Sequence, residues 1–413
     1  MSSQSVDVAI VGCGVSGAAC ALAATARGVS VAILEEHSEV GYPSHCSGHV
    51  GIQAFRKFGP QLPPKLIENE IKGAVLHAPS GERLTLRRSA PITWVINRAE
   101  FDKHLASLAA KDGANLSLNS RVDTVKRSAN TIQLRVATPR EQEISCKVVV
   151  DAGGCGAPIS RYMDIPRRDK YAFINSAQVH VKNVVDVDTD FVELFFGQQY
   201  APGFFGWIIP RRDGSAKVGL AADARSRSNV RLCFERFLKK HPLVSSKLRR
   251  ARFVTTPLYH PIPVSGAGDR TYSSGFLAVG DAASQVKPTT GGGIVFGLAC
   301  GELAGQTAAE AVINGDTSSS FLKRYEVSWR KRIGFDLKLM GWLRRLMYRM
   351  PDQHLNRIFS ISNELRTDEV LGRTSDIDFQ GRTLLSLSRD PRLFLTLLSA
   401  SVLSLPSLII ERD

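Results

Sequence analysis

The chain has 413 residues and a formal net charge of +14, from 53 Lys and Arg against 39 Asp and Glu. This length can bury a large core and exceeds one typical domain, and the seven cysteines show neither CxxC nor zinc-like spacing, which argues against a disulfide scaffold or a metal site. The polar residues 1–7 predict no signal peptide, and the positive charge favours an anionic partner such as nucleic acid, a membrane surface or a phosphorylated substrate.

The first predicted elements are a strand and a helix joined by a glycine-rich turn. An apolar run at residues 8–11 precedes GCGVSG at residues 12–17, which opens a helix-like stretch at residues 18–27. In this order the glycines allow a tight turn, and the helix amides face a pyrophosphate. A second apolar run ends in an acid about twenty residues on, where a carboxylate holds an adenosine ribose. The predicted dinucleotide contacts are Gly12, Gly14, Val15, Gly17 and Glu35.

A strand-rich middle segment follows and contains an aromatic row bounded by prolines. Its strands alternate apolar and polar residues, as at residues 177–181, which suits an antiparallel sheet with one solvated or substrate-facing side. In YAPGFFGWIIP at residues 200–210, this alternation puts Phe205, Trp207 and Ile209 on one strand face. Core packing alone would explain a single aromatic pair. The position of the row in the middle sheet favours a substrate-facing apolar wall.

A second nucleotide-type segment comes late in the chain. The strand-like residues 277–279 lead into Gly280-Asp281-Ala282-Ala283, and the glycine-rich turn KPTTGGG at residues 287–293 precedes a helix. Chance would rarely supply both this segment and the first one. Together they predict one extended dinucleotide site.

Beyond residue 317 the chain is predicted to be helical and basic. Residues 323–349 carry nine basic residues against two acids. At helical spacing one face holds Phe335, Leu339, Trp342, Leu343 and Leu346, and the other holds Lys338, Arg344, Arg345 and Arg349. A basic amphipathic helix with a Trp is typical of a membrane interface, although an ordinary helix docked on the protein body has the same pattern.

The tail at residues 393–410 is uncharged and rich in Leu, Val and Ile. Its length is near the lower limit for a spanning helix, about 17 residues, but Pro406 and five hydroxyl residues interrupt it. At helical spacing, one sector holds Thr396, Ser399, Ser404 and Ser407. We therefore expect peripheral membrane contact, or burial against the protein body, instead of a spanning helix.

These elements predict an α/β protein, an α+β composite, with two interleaved domains and a C-terminal helical region. A Rossmann-like cofactor domain is assigned to residues 1–73, 96–160 and 272–316. An antiparallel-sheet substrate domain is assigned to residues 74–95 and 161–271, and the helical region to residues 317–413.

Four signatures make residues 6–330 resemble the geranylgeranyl reductase family, within the flavoproteins of the p-hydroxybenzoate hydroxylase type. They are the glycine-rich turn GCGVSG at residues 12–17 with Glu35, the loop YPSHCSG at residues 42–48, the element NRAEFDKHL at residues 97–105 and the motif PGFFGWIIP at residues 202–210. The family pattern for the last motif is PxxYxWxFP, from which Phe205 and Ile209 depart. Phe205 leaves no hydroxyl for a proton relay at that position.

The resemblance implies FAD as a tightly bound, non-covalent cofactor. In proteins of this type the Asp after the late strand binds the ribityl chain, and the glycine turn lies beneath the isoalloxazine. The arginine of the RxxFDxxL element approaches the flavin dinucleotide. The further FAD-binding residues implied are Cys46, Ser47, Arg98, Val122, Asp281, Gly292, Gly293 and Ile294.

The resemblance also implies reduction of isolated double bonds in geranylgeranyl chains. The expected carriers are archaeal-type diether phospholipids, with free geranylgeranyl diphosphate as an alternative. Such bonds have no carbonyl to accept electron density, so hydride transfer from reduced flavin needs an accompanying proton. Cys46 is the predicted donor, because a thiol is mostly protonated at neutral pH. The faces of Phe205 and Trp207 would stabilise positive charge on a tertiary carbon by about 0.5–2 kcal/mol each.

Other function classes fit parts of the sequence. Flavin-dependent halogenases carry WxWxIP, which FGWIIP at residues 205–210 matches except at its first residue, but they also use a Lys, and none lies between residues 29 and 56. Aromatic hydroxylases of the same fold stay open as well. A basic nucleic-acid binder would fit the charge, but it does not need Glu35 together with Gly280 and Asp281, so no nucleic-acid partner is expected.

The remaining expectations concern partners and location. No second strand–GxGxxG–helix unit occurs in the sequence, so the electron donor is expected to be external: NAD(P)H, ferredoxin or another carrier. With a prenyl lipid as substrate, we expect a cytoplasmic protein in peripheral contact with the inner face of the cell membrane.

Overall fold

The computed structural model describes residues 3–128, 131–137, 142–165, 173–226, 228–266, 270–348, 350–373 and 376–409, with side chains up to residue 403. The strands of this described part are, in chain order, β1 (Ser3–Val11), β2 (Val31–Leu34), β3 (His49–Gly51), β4 (Ile67–Ile71), β5 (Gly73–His77), β6 (Arg83–Arg87), β7 (Thr93–Ile96), β8 (Asn115–Ser117), β9 (Arg121–Arg127), β10 (Ile132–Ala137), β11 (Gln142–Asp151), β12 (Phe173–Lys182), β13 (Phe191–Phe196), β14 (Phe205–Pro210), β15 (Ala216–Asp223), β16 (Arg252–Phe253), β17 (Leu258–Pro263), β18 (Tyr272–Ser273) and β19 (Phe276–Ala278). The α-helices are α1 (Val15–Thr25), α2 (Ile52–Phe58), α3 (Arg98–Lys111), α4 (Val230–Lys240), α5 (Pro242–Lys247), α6 (Ile294–Ile313), α7 (Ser319–Trp329), α8 (Phe335–Tyr348), α9 (Asp352–Glu364), α10 (Thr367–Leu371), α11 (Gln380–Leu387) and α12 (Pro391–Ile409). The predicted mixed α/β class is confirmed.

The first of two compact units comprises Met1–Ser44, Arg98–Asp169 and Ser265–Leu337. Its sheet has the order β18-β19-β11-β1-β2-β8, and the antiparallel β9–β10 hairpin is attached to β11. The strands from β19 to β8 pair in parallel, as in nucleotide-binding sheets. Val8, Ala9 and Ile10 of β1 are fully buried, as expected for a parallel strand covered on both faces. Both α1 and α6 pack on this strand and on each other.

The second compact unit comprises His45–Asn97, Lys170–Val264 and Lys338–Asp413. Its main sheet has the order β16-β12-β15-β14-β13-β5-β6, with β17 also paired to β12. All these pairs are antiparallel except β13 with β5. One face is covered by α4, whose Phe234 and Phe237 pack against Ile208 and Val218. The predicted antiparallel sheet is therefore present.

A smaller three-stranded sheet, β3-β7-β4, belongs to the same unit. Both β3 and β4 pair with β7 in antiparallel fashion. Residues 45–73 therefore group with the second unit, whereas the division drawn from the sequence places them with the cofactor domain.

The basic segment forms α8, but one predicted surface cation is buried. Arg344 is 7% exposed, forms an ion pair with Asp223, and lies 5.3 Å from the ring centre of Phe204. Its predicted place on the exposed basic face is wrong, because the buried carboxylate in β15 needs a cationic partner that helical spacing does not show. The exposed side chains of α8 are Phe335, Lys338, Trp342, Arg345 and Met347. Arg349 lies outside the described residues.

The uncharged tail forms α12, which packs against α9 and α10. Its hydroxyl sector does not face solvent at Thr396, which is buried and hydrogen-bonded to Thr367 at 3.0 Å. The exposed side chains are apolar: Phe394, Leu395, Leu398 and Val402. Ser404 and Ser407 have no described side chains. Within the described residues, no helix has the length and hydropathy needed to cross a bilayer.

Candidate functional site

The turn after β1 is tight and packs closely against Ala152 and the start of α1. Gly12 adopts φ +97°, and a Cβ there would lie 2.5 Å from the carbonyl oxygen of Ala152. A Cβ at Gly17 would lie 2.0 Å from the carbonyl oxygen of Gly12, so the turn and α1 approach too closely for a larger residue. At Gly14 a Cβ would meet nothing within 4 Å. Because α1 begins at Val15, its first amides lie next to this open position.

The carboxylate of Glu35 is buried at the end of β2 and is oriented by backbone amides. Its Oε2 accepts the Cys13 amide at 2.8 Å, and its Oε1 accepts the His37 amide at 3.1 Å and lies 2.6 Å from His37 Nδ1. The carboxylate therefore lies beside the glycine turn. A carboxylate has about four acceptor sites, so capacity remains for ribose hydroxyls.

Arg98 begins α3 and is held by an acid four residues on. Its Nη2 and Nε donate to Asp102 at 2.9 and 3.1 Å. Burial raises the pKa of Asp102, the charge of Arg98 opposes this rise, and the nearby Glu35 adds to it. Because Asp102 interacts electrostatically with both residues, Arg98 lies near Glu35.

The late glycine-rich segment, residues 280–293, lies against the glycine turn of residues 12–17. Gly280 adopts φ +66°, and a Cβ there would lie 2.2 Å from Ser16 Oγ in the first turn of α1. Gly293 is the N-cap of α6, and a Cβ at that position would lie 3.2 Å from Asp281 Oδ1. The Asp281 carboxylate therefore lies at the N-terminus of α6, where helix amides are exposed to a ligand.

The other residues of this unit that are predicted to bind FAD differ in which of their atoms a ligand could contact. Ile294 is the buried first residue of α6, and a Cβ at Gly292 would lie 2.6 Å from Lys287 Cε. Val122 packs its side chain into the core with Val11 and Leu34, so only its backbone could contact a ligand. The glycine turn, Glu35 and the Asp281 segment together fit a long dinucleotide.

Cys46 and Ser47 belong to the second unit, on the loop that leads into β3. Cys46 is half-buried, and the amide of Gly48 donates to its Sγ at 3.4 Å. Gly48 adopts φ +72°, and a Cβ there would lie 2.1 Å from the Ile96 carbonyl oxygen. The loop therefore turns back on its own thiol at a position where only glycine fits.

Behind this loop lies a buried ion network that the sequence analysis missed. Lys217 of β15 is 2% exposed, and its Nζ donates to the carbonyl oxygens of Ser47 at 2.9 Å and Ile96 at 3.3 Å. The same Nζ lies 2.8 Å from Glu68 Oε2. Arg211 Nη2 donates to Glu68 Oε1 at 2.7 Å. Burial lowers the pKa of Lys217, while the charge of Glu68 opposes the fall.

Two histidines near the network are neutral at physiological pH. The ring of His260 in β17 stacks on His45 with a 3.6 Å centroid separation. Burial lowers the pKa of His260 to about 4. Burial, with Lys217 and Arg211, lowers the pKa of His180 to about 4.

The aromatic row lies on the sheet face opposite α4. Phe204 stacks on Phe205 at 4.4 Å, and Phe205 meets Trp207 edge-on at 6.2 Å. Trp207 Nε1 donates to Gln178 at 3.1 Å, and its ring lies over Gly219, where a Cβ would approach it to 2.5 Å. These rings form a continuous apolar surface that is partly open to solvent.

Among the functional residues that the sequence did not predict, only Lys217 could have been recognised from its sequence context. Lys217 interrupts an otherwise apolar strand, AKVGLAA at residues 216–222, and a lone Lys in a buried strand must have a partner. Glu68 and His260 stand among polar neighbours, and nothing in their spacing connects them to Cys46.

Known proteins resemble this chain in sequence and fold. Residues 5–334 match the family model of the FAD binding domain. The digeranylgeranylglycerophospholipid reductase 2 of Methanothermobacter thermautotrophicus is 32% identical over 358 residues, covering 85% of this chain and 90% of that protein. A geranylgeranyl bacteriochlorophyll reductase-like protein from Thermoplasma acidophilum has a similar fold, with a TM-score of 0.85, 24% identity and coverage of 97% of this chain and 100% of that chain. The flavin-dependent brominase Bmp2 also has a similar fold, with a TM-score of 0.70, 19% identity and coverage of 89% and 94%.

Proposed function

Because this chain belongs to the digeranylgeranylglycerophospholipid reductase family of FAD-binding proteins, we propose that it saturates isolated double bonds in the geranylgeranyl chains of a diether phospholipid. It is an FAD-dependent oxidoreductase. The observation that carries the chemistry is the half-buried Cys46 thiol, whose Sγ accepts a hydrogen bond from the amide of Gly48.

The residues of the first unit account for cofactor binding in this proposal. When bound and reduced, FAD supplies a hydride. Glu35 would hold the adenosine ribose, the glycine turn the pyrophosphate, and Asp281 the ribityl chain. The first amides of α6, at Gly293 and Ile294, would meet the flavin ring.

The residues of the second unit account for the alkene chemistry. The S–H bond of Cys46 breaks as a C–H bond forms at one alkene carbon, and the thiolate that remains is reprotonated from solvent. The other alkene carbon would receive the hydride that FAD supplies when it is bound and reduced. Phe205 and Trp207 present their ring faces to the carbon on which positive charge develops, a contact of about 0.5–2 kcal/mol per ring.

Lys217 weighs against the halogenase alternative. No Lys lies between residues 29 and 56 of the sequence, but the structure brings Lys217 to the Cys46 loop, where its Nζ donates to the carbonyl oxygen of Ser47. Two donors of its ammonium group bind the carbonyl oxygens of Ser47 and Ile96, and its Nζ is ion-paired with Glu68 at 2.8 Å. These contacts turn the Lys217 ammonium group toward protein oxygens and give it a structural role on the loop.

Substitution of Cys46 tests the proposed role directly. Cys46→Ala should keep FAD and the folded state but lower turnover of a geranylgeranyl diether lipid by about 100- to 10,000-fold, the usual contribution of a general acid. Cys46→Ser should be impaired as well, because a hydroxyl is a far weaker acid than a thiol. Cys155→Ala, which removes the other partly exposed cysteine, is the control. Undiminished turnover by Cys46→Ala would reduce the thiol to a packing role.

The lipid substrate favours peripheral contact with an anionic membrane surface at the inner face of the cell membrane. The exposed apolar row of α12, at Phe394, Leu395, Leu398 and Val402, suits the acyl boundary. Lys338 and Arg345 stand exposed on α8 beside Trp342, where they suit anionic head groups. Electrons would come from an external carrier such as NAD(P)H or ferredoxin.

A further inference from the structure

One peptide unit connects the buried cation to the thiol. The Ser47–Gly48 peptide donates through its N–H to Cys46 Sγ at 3.4 Å, and it accepts through its carbonyl oxygen from Lys217 Nζ at 2.9 Å. The cation and the sulfur thus lie at opposite ends of a single amide dipole. A Cβ at Gly48 would lie 3.3 Å from Lys217 Nζ, so the cation lies directly beneath the turn.

The cation is fixed by its surroundings. Lys217 is fully enclosed in β15, bonded also to the Ile96 carbonyl of β7 and paired with Glu68 of β4. The three partners leave its ammonium group no freedom to turn away from Ser47. A lysine side chain ordered in this way inside a sheet can exert a constant field on the loop.

A cation at the oxygen end of an amide polarises it and makes its N–H a stronger donor. Proton transfer from a thiol leaves a thiolate, and a hydrogen bond to an ionised acceptor is stronger than one to a neutral acceptor. The Gly48 N–H would therefore bind the sulfur more tightly after the proton has left than before it. The effect favours the ionised form of Cys46.

We propose that Lys217 is a positioning residue that stabilises the Cys46 thiolate through the Ser47–Gly48 peptide. The role rests on the proposed function, in which Cys46 gives its proton to the alkene. In that step the S–H electron pair stays on sulfur, the proton forms the new C–H bond, and Lys217 itself neither loses nor gains a proton.

Other titratable and charged groups surround the loop, and they must be counted in any pH profile. His45 and His49 lie on the loop and on β3. From other elements the groups are His180 on β12, His260 on β17, Glu68 on β4 and Arg211 after β14. With pKa values lowered to about 4, His180 and His260 stay neutral above pH 6. Glu68 is therefore the acid whose removal gives the most direct contrast.

The test is the pH dependence of Cys46 alkylation by iodoacetamide in the FAD-loaded enzyme without lipid. Mass spectrometry of the peptide that contains Cys46 reports the thiolate fraction, and the peptide that contains Cys155 is the internal control. Lys217→Met combined with Glu68→Gln removes the cation without leaving a buried carboxylate alone. The alkylation pKa of Cys46 should rise by roughly one unit in this double variant.

Glu68→Gln alone should move the alkylation pKa in the opposite direction, because it removes the negative charge that opposes Lys217. A purely structural network would shift both variants the same way or neither. An unchanged pKa in the folded double variant overturns the proposal. If the double variant does not fold, a pKa that is unchanged or raised in Glu68→Gln overturns it instead.

The alkylation result is independent of the donor role of Cys46. Full turnover by Cys46→Ala would remove the proposed function, yet the alkylation pKa would still show whether Lys217 acts on the thiol. Conversely, an unchanged alkylation pKa would show that Lys217 does not act on the thiol. The turnover of Cys46→Ala would still decide whether Cys46 donates the proton.

Discussion

The Asp281 carboxylate lies at the N-terminus of α6, and its loss should weaken FAD binding. A charge-assisted hydrogen bond contributes about 1.5–3 kcal/mol, so Asp281→Ala should bind FAD roughly ten- to a hundred-fold more weakly. The flavin content of the purified variant and titration of the apoprotein with FAD measure this. Asp112→Ala, which removes an exposed acid of the same unit, should keep full occupancy. Equal flavin content in both variants would contradict the assignment.

Individual residues differ in how far the sequence predicts them. Glu35 could be placed because a strand, a glycine turn and a helix fix its distance from the dinucleotide along a local stretch of chain. Lys217 could not be joined to Cys46 in the same way, since 170 residues separate it from Ser47. Such a contact depends on strand register in the folded sheet, which local patterns do not determine.

The ion pair between α8 and β15 should stabilise the second unit. Asp223 is 1% exposed and pairs with both Arg344 and Arg225. Arg344→Met leaves that carboxylate with one partner, which should lower the free energy of unfolding by about 1–3 kcal/mol. Urea denaturation measures the loss. Arg345→Met, at the next and exposed position, should change stability by no more than about 0.5 kcal/mol. Equal effects of the two substitutions would rule out the pairing.

At the level of elements, the sequence predicts which segments form helices better than it predicts which face of each helix is buried. The 3.6-residue period predicts both α8 and α12 as helices, because amphipathic spacing is a local property. It misassigns Arg344, which is buried against a partner from a distant segment. A polar side chain on a helix can point inward when a buried partner satisfies it.

For the whole molecule, the net charge of +14 and the exposed side of α8 predict salt-sensitive membrane binding. Lys338→Glu with Arg345→Glu removes two cations that contribute about 1 kcal/mol each near an anionic surface. Binding to phosphatidylglycerol-containing vesicles should weaken by roughly thirty-fold or more. Added salt should weaken binding of the unaltered protein too, because the Debye length shortens.

A pair with the same change in net charge serves as control. Lys126→Glu with Arg135→Glu reverses two exposed cations of the β9–β10 hairpin and should leave most vesicle binding intact. The α8 pair should also keep its activity on detergent-dispersed lipid. If both pairs lose binding equally, net charge alone explains the attraction and α8 has no special part in it.

Product analysis under anaerobic conditions tests the central claim most directly. Purified enzyme with reduced FAD and an unsaturated geranylgeranyl diether phospholipid, without oxygen or halide, would be followed by mass spectrometry of the lipid. The account predicts a gain of two hydrogen atoms for each double bond reduced, with no oxygen or halogen in the product. A lipid left unchanged without oxygen, but hydroxylated or halogenated once oxygen and halide are supplied, would contradict it.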